Sequence, residues 1–229
     1  MTLARPILAL DATTELCSVA WTDGVQWVET GEAAGQRHAE LILAMIDSTL
    51  RDAGCRLLDL GEIAFGAGPG SFTGLRIACG VAQGLALGAQ LPVRAVSSLM
   101  ALAQASGKRS VVAALDARMN EVYWAAFRQS ANGQTWQTVS PAAVSSPTAV
   151  SAPAGEDWMG VGNAFAIYPA LGSGARGPII ADASVRVTAR AVAELSLANH
   201  GTVGAPDAAL PHYVRDKVAL TSAERLAAR

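Results

Sequence analysis

The sequence predicts an α/β protein with two similar halves, each opening on a β-hairpin. Three patterns carry that prediction. Short apolar runs bounded by Gly, Pro, Asn and Asp alternate with longer stretches whose apolar residues recur every three or four positions. The run Ile7-Leu-Ala-Leu-Asp11-Ala12, followed by Glu15 and an apolar stretch, is echoed by Val112-Ala-Ala-Leu-Asp116-Ala117, followed by Glu121 and another. A Gly-rich turn after residue 66 feeds a long stretch of small residues with helical spacing. The echo is short, and on sequence alone chance repetition is its alternative.

The elements follow in order. Residues 7–10 read as a buried strand, and 17–21 and 25–30 as two more. Asp23-Gly24 forms the turn between these two, because both central positions tolerate positive φ. Residues 38–53 read as a helix, with Leu41, Ile42, Met45, Ile46, Thr49, Leu50 and Ala53 on one face and Gly54 as its left-handed stop. Residues 62–66 are a strand, 74–88 a helix and 93–96 a strand. Ser97 or Ser98 caps a helix that Gly107 ends. In the second half, 111–116 and 121–128 read as strands. Asn132-Gly133 turns into a strand at 134–139, and the Ser-, Ala- and Pro-rich stretch 140–155 reads as a loop with weak strand character. Residues 160–168 read as a turn into a helix, 187–199 as a helix and 211–213 as extended. The first half is expected at 1–103 and the second at 104–211. The tail, 212–229, is expected to pack back on the first half.

Hydrophobic residues make up 51% of the chain and charged ones 16%, which supplies a core and excludes a disordered composition. The net charge is −2 and no basic stripe stands out, which argues against autonomous nucleic-acid binding. Cys17, Cys55 and Cys79 match no zinc or redox spacing, so they read as reduced thiols of a reducing compartment. The N-terminus lacks a signal-peptide pattern. The apolar stretch 74–93 holds Arg76, Gln83, Gln90 and Pro92, so it reads as a core helix, not a membrane span.

The loop from Gly66 to Thr73 offers backbone N–H groups at a helix start, which suits phosphate. It lacks the Lys of a P-loop, Pro69 interrupts a dinucleotide fingerprint, and Ser71 has no Gly two residues to either side as a nucleophile elbow requires. The loop therefore reads as a turn that aims the next helix. In that helix Gly80, Gly84 and Gly88 recur every four residues beside Ala78, Ala82 and Ala86. Each interior Gly costs about 1 kcal/mol against Ala, roughly 3 kcal/mol for three, unless another backbone needs the room. The helix at 38–53 is the natural mate within the chain. A second subunit is the alternative. Asp11 and Asp116, each at a strand end, suit either an Asx-turn or the holding of a metal or a water next to a phosphate. His38, His200 and His212 are isolated, and His38 reads as a surface or capping residue. Gly160-Val-Gly162-Asn163 is a weak glycine signal.

Two segments are specific enough to carry a family resemblance. They are Gly-Pro-Gly-Ser-Phe-Thr-Gly-Leu-Arg from Gly68 to Arg76, and Leu-Asp-Ala-Arg-Met-Asn-Glu-Val-Tyr from Leu115 to Tyr123. With 7–20 and 211–219 they resemble the TsaB (YeaZ) family, bacterial subunits of the machinery that makes threonylcarbamoyladenosine beside the tRNA anticodon. The resemblance implies an actin-like/Hsp70-like (ASKHA, ribonuclease H-like) fold of two related subdomains. It also resembles the catalytic paralogue TsaD, which carries His-Met-Glu-Ala-His as metal ligands where this chain has Ser98-Leu99-Met100-Ala101-Leu102. The resemblance implies a cytoplasmic, non-catalytic scaffold with no cofactor of its own, in a complex that uses ATP and metal. The implied partners are TsaD, TsaE in the larger complex, a second copy when alone, and tRNA indirectly. The expected interface comprises His38, Leu41, Ile42 and Met45, then Ser71, Phe72, Thr73, Arg76 and Ile77, then Gly80, Gly84 and Gly88. The competing readings are a stand-alone actin-like ATPase or peptidase-like enzyme, and a homodimeric module with another role.

Overall fold

The computed structural model describes residues 5–133, 135–155, 157–173 and 179–215. Strands β1 (Ile7–Asp11), β2 (Leu16–Thr22) and β3 (Trp27–Ala33) form an antiparallel meander, with Leu8 opposite Trp21 and Leu10 opposite Val19. At the second turn the Asp23 carboxylate accepts the N–H groups of Val25 and Gln26 at 2.9 and 2.7 Å, and Gly24 takes φ 88°. Helix α1 (His38–Asp52) stops at Gly54, φ 62°. Strand β4 (Glu62–Gly68) lies parallel to β1, and helix α2 (Phe72–Ala89) returns the chain to β5 (Val93–Ser97), parallel to β4. Helix α3 (Ser98–Ala105) follows at once, the Ser97 hydroxyl accepting the N–H of Met100.

The pattern then repeats. Strands β6 (Ser110–Asp116), β7 (Val122–Gln129) and β8 (Trp136–Ser145) form a second antiparallel meander. Strand β9 (Met159–Val161) runs parallel to β6 as β4 does to β1, and leads into the single-turn helix α4 (Ala164–Ile167). Strand β10 (Ile180–Asp182), helix α5 (Ala189–Leu197) and strand β11 (Thr202–Gly204) complete the described elements. The sheets have the orders β11-β5-β4-β1-β2-β3 and β10-β9-β6-β7-β8. Their shared order, with β4-β1-β2-β3 matching β9-β6-β7-β8, makes the echo of Asp11 and Asp116 a structural repeat.

Strands β1 and β6 are covered on both faces, which is why they read as continuous apolar runs. Helices α3 and α5 lie between the sheets. There Leu99, Leu102, Val192 and Leu195 meet Ala9, Ala64 and Val96 of one sheet and Val111, Ala113 and Leu115 of the other. The outer face of the first sheet is covered by α1 and α2, through Ile42, Met45 and Ile46 and through Ala78, Ala82 and Ala86. The outer face of the second carries Trp158, Ala164 and Leu171.

Sequence order and sheet membership part company after residue 187. Helix α5 packs on β1 and β2, and β11 pairs with β5, so both belong with the first sheet. The buried Arg94 of β5 grips Glu62 of β4 at 2.8 and 2.9 Å, and Ser196 of α5 donates to the same carboxylate at 2.5 Å. Removing one partner of such a buried pair costs on the order of 3–5 kcal/mol.

Three expectations shift. The third strand starts at Trp27, because Val25 and Gln26 are held by the Asp23 turn. Helix α2 starts at Phe72, because the Ser71 hydroxyl accepts the Gly74 N–H at 3.3 Å and so caps the helix ahead of Gly74. Residues 140–145, expected as a loop with weak strand character, continue β8 against β7 through an irregular register.

Candidate partner surface and cleft

The stretch from β4 into α2 is built around the turn that follows β1. Asp11 is fully buried at the end of β1 and accepts the N–H and hydroxyl of Thr13, at 3.1 Å and at 2.9 and 3.1 Å. Burial pushes its carboxyl up to about 7, against the opposing pull of the Thr13 hydrogen bonds. The Asx-turn reading of Asp11 therefore holds. Gly66, Gly70 and Gly74 wrap this turn. A Cβ on any of them would come closer than 3.0 Å to the Asp11 carboxylate, the Thr13 carbonyl or the Ala12 carbonyl respectively. The Ser71 N–H closes the contact on the Thr13 carbonyl at 2.8 Å. The loop glycines are needed for close approach of two turns.

The glycines of α2 are placed differently. Ala78, Ala82 and Ala86 face the core, while Gly80, Gly84 and Gly88 are exposed with nothing within 4 Å of a Cβ built on them. Helix α1, expected as their mate, packs on the first sheet, and among the described residues nothing covers the stripe. By length and composition α2 could cross a bilayer, but its alanine face is spent on the core. Phe72, 48% exposed, and Leu87, 72% exposed, flank the glycines. The Arg76 guanidinium lies 3.8 Å over the Phe72 ring, a cation–π contact. Ser71, Thr73 and Arg76 are exposed and Ile77 half-buried.

His38, Ile42 and Met45, expected at a partner surface, are instead buried in this chain, and Leu41 is half-buried against the same core. His38 is neither a surface nor a capping residue. Its Nε2 meets the Thr14 carbonyl at 2.9 Å and ties α1 to the turn after β1. What α1 does expose is Leu43, at 56%, with Ala39, Glu40, Ala44 and Asp47. Leu43 has an apolar side chain off the i, i+3, i+4 face that the sequence periodicity selected.

A cleft of about 780 Å³ opens between the two hairpin turns, lined by Thr13, Thr14 and Pro69–Leu75 on one side and by Leu115–Met119, Tyr123 and Asn163 on the other. The Asn163 side-chain Oδ1 accepts the Asp116 N–H at 3.0 Å, and the Tyr168 hydroxyl donates to the Asp116 carboxylate at 2.8 Å. Gly160 and Gly162 make room for the Phe165 ring and the Ala114 carbonyl, so that glycine signal is structural. On α3, Ser98 is fully buried with its hydroxyl accepting the Gly68 N–H at 3.0 Å, and Leu102 lies in the core between the sheets. Neither position carries a histidine. Among the described residues no group of three or more His, Cys, Asp and Glu converges.

Comparison with known proteins decides the family. Residues 30–219 match the family described as "TsaD: tRNA N6-adenosine threonylcarbamoyltransferase". The "tRNA threonylcarbamoyladenosine biosynthesis protein TsaB" of Escherichia coli (strain K12) is 40% identical over 225 residues, spanning 93% of this chain and 96% of that one. The chain belongs to the TsaB (YeaZ) family. A Haemophilus influenzae protein of the same name is 50% identical over 122 residues, 52% of each chain. The solved YeaZ from Pseudomonas aeruginosa superposes with a TM-score of 0.83 at 37% identity, covering 91% of this chain and 99% of that one. The two related sheets are thus those of the actin-like fold, as the two motifs implied.

Proposed function

We propose that the chain is a non-catalytic accessory subunit of the machinery that forms N6-threonylcarbamoyladenosine in tRNA beside the anticodon. On this reading it binds and supports a TsaD-type catalytic subunit through the exposed face of α2. Membership in the TsaB family supports the role in the pathway. The observation that carries the binding role is the open stripe of Gly80, Gly84 and Gly88. These glycines weaken α2 by roughly 3 kcal/mol in total, and among the described residues no contact offsets it. Small residues on one helix face let a second backbone approach closely.

The surface comprises Phe72, Thr73, Arg76, Gly80, Gly84 and Gly88, joined by Leu87 and by Leu43 of α1. A second copy uses the same face when TsaD is absent, and TsaE joins in the larger complex. ATP and metal serve the complex; this chain alone holds no cofactor. It meets tRNA through the complex, in the cytoplasm. A stand-alone ATPase or peptidase-like enzyme is the competing reading. It draws less support, because the loop glycines are filled by the turn after β1 and the positions of the TsaD histidines are core.

The test is deletion of this chain followed by mass spectrometry of tRNA nucleosides. Loss of threonylcarbamoyladenosine, restored by the parent chain, is expected. An unchanged level contradicts the proposal.

A further inference from the structure

Residues 209–215 cross the mouth of the cleft and are fastened at both ends. At one end the Ala209 carbonyl accepts from the Cys79 thiol at 3.1 Å and from Gln83 Nε2 at 2.7 Å, both on α2. In the middle the His212 N–H donates to the Ala67 carbonyl of β4 at 2.6 Å. The Tyr213 ring lies 6.1 Å from that of Phe72, and its hydroxyl accepts from Arg76 Nε at 3.3 Å. At the far end Arg215 reaches the other half of the molecule. Its guanidinium pairs with Glu121, sits 3.8 Å from the Met119 sulfur and lies 5.9 Å from the centre of the Tyr123 ring. The Arg215 side chain is only 14% exposed, so this is a seated contact.

What Arg215 holds is a strained turn. Arg118, Met119 and Asn120 all take left-handed backbone, φ 62°, 55° and 57°. Each non-glycine residue there costs on the order of 1 kcal/mol. The turn is closed by the Ala117 N–H to the Glu121 carbonyl and the Glu121 N–H to the Arg118 carbonyl, both 3.0 Å. It forms one wall of the cleft, and the N-terminal turn of α2 forms the other.

We propose that residues 209–215 are a tether through which the exposed N-terminal turn of α2 sets the stability of the Arg118–Asn120 turn, and with it the opening of the cleft. Arg76 and Phe72 hold Tyr213, Tyr213 fixes the path of the strap, and the strap delivers Arg215 to Glu121. A protein seated on Phe72 and Arg76, the surface proposed above, is then felt at the opposite wall of the cleft. The tether itself does not depend on which protein that is.

A double-mutant cycle on the chain alone tests it, read by amide hydrogen exchange at Ala117 and Glu121. Arg215→Ala should speed exchange there by about tenfold, by local opening. Arg76→Ala, on α2 in the other half of the molecule, should speed it by about threefold, and Tyr213→Phe should match Arg76→Ala by removing only the hydroxyl. The Arg76→Ala, Arg215→Ala pair should exchange no faster than Arg215→Ala alone. Unaltered exchange in β1 confirms that each variant is folded. No response at Ala117 and Glu121 to Arg76→Ala, or effects that simply multiply, would overturn the tether. Neither result bears on whether TsaD binds α2.

Discussion

Two glycine triads lie along one stretch of chain, each with a period of four: Gly66, Gly70 and Gly74, then Gly80, Gly84 and Gly88. In the first, every glycine faces backbone or a buried carboxylate so closely that a methyl group has no room. In the second, every glycine faces open space. Identical spacing thus serves two ends. The first triad joins β4 and α2 to the turn after β1 and is needed by the fold. The second makes no contact among the described residues and weakens its own helix, which is the ground for proposing that another backbone arrives there.

Substitutions separate the two. The largest effect belongs to the closed triad. Gly66→Val drives a branched side chain into Asp11 and Thr13, and should destabilise by on the order of 4 kcal/mol or abolish folding, measured by urea denaturation. The carboxylate that Gly66 accommodates supplies the next test. Asp11 has an ordinary value of 3.8 and is raised to about 7 in the fold, so the folded state holds its proton while the unfolded chain loses it. The contribution of this group is therefore greatest below pH 4 and is lost as pH rises towards 7, a change of about 3 kcal/mol. Asp11→Asn should remove that slope. The stability difference between variant and parent should grow in the variant's favour from pH 4 to 7. A flat difference would show that Asp11 is ionised in the fold throughout.

The open triad responds with the opposite sign. Replacing Gly80, Gly84 and Gly88 together by Ala should raise the stability of the free chain by roughly 3 kcal/mol, since helix propensity improves and nothing is displaced. A loss of stability would mean that the stripe is packed in the free chain.

The sequence shows both triads but not which of them is buried. Period four places residues on one face of a helix; whether the alanine or the glycine face turns inward depends on the sheet beneath it. Hence α1, with its large apolar face, looked like the mate of the glycines, whereas that face packs on the first sheet. For the same reason His38, Ile42 and Met45 are core. Much of the local chemistry was legible, though the Ser71 cap of α2 was not. Gly54 ends α1, Ser97 caps α3, Asp23-Gly24 turns a hairpin, and the Asp11 and Asp116 motifs open the two related meanders. Long-range pairing was not. Nothing local to residues 189–204 says that α5 and β11 return to the first sheet, or that Arg215 reaches Glu121. Of the tail expected on the first half, His212 and Tyr213 meet Ala67, Phe72 and Arg76 there, whereas Arg215 reaches Glu121 of the second half. The remainder, 216–229, lies outside the described residues.

The central claim is that the open glycine face of α2 is kept for a partner's backbone. It is tested most directly by measuring the affinity of Gly84→Leu for a TsaD-type subunit alongside its thermal stability. A free chain as stable as the parent, with binding weakened by at least about a hundredfold (roughly 3 kcal/mol), is the predicted result. A stable variant that binds as the parent does would contradict it.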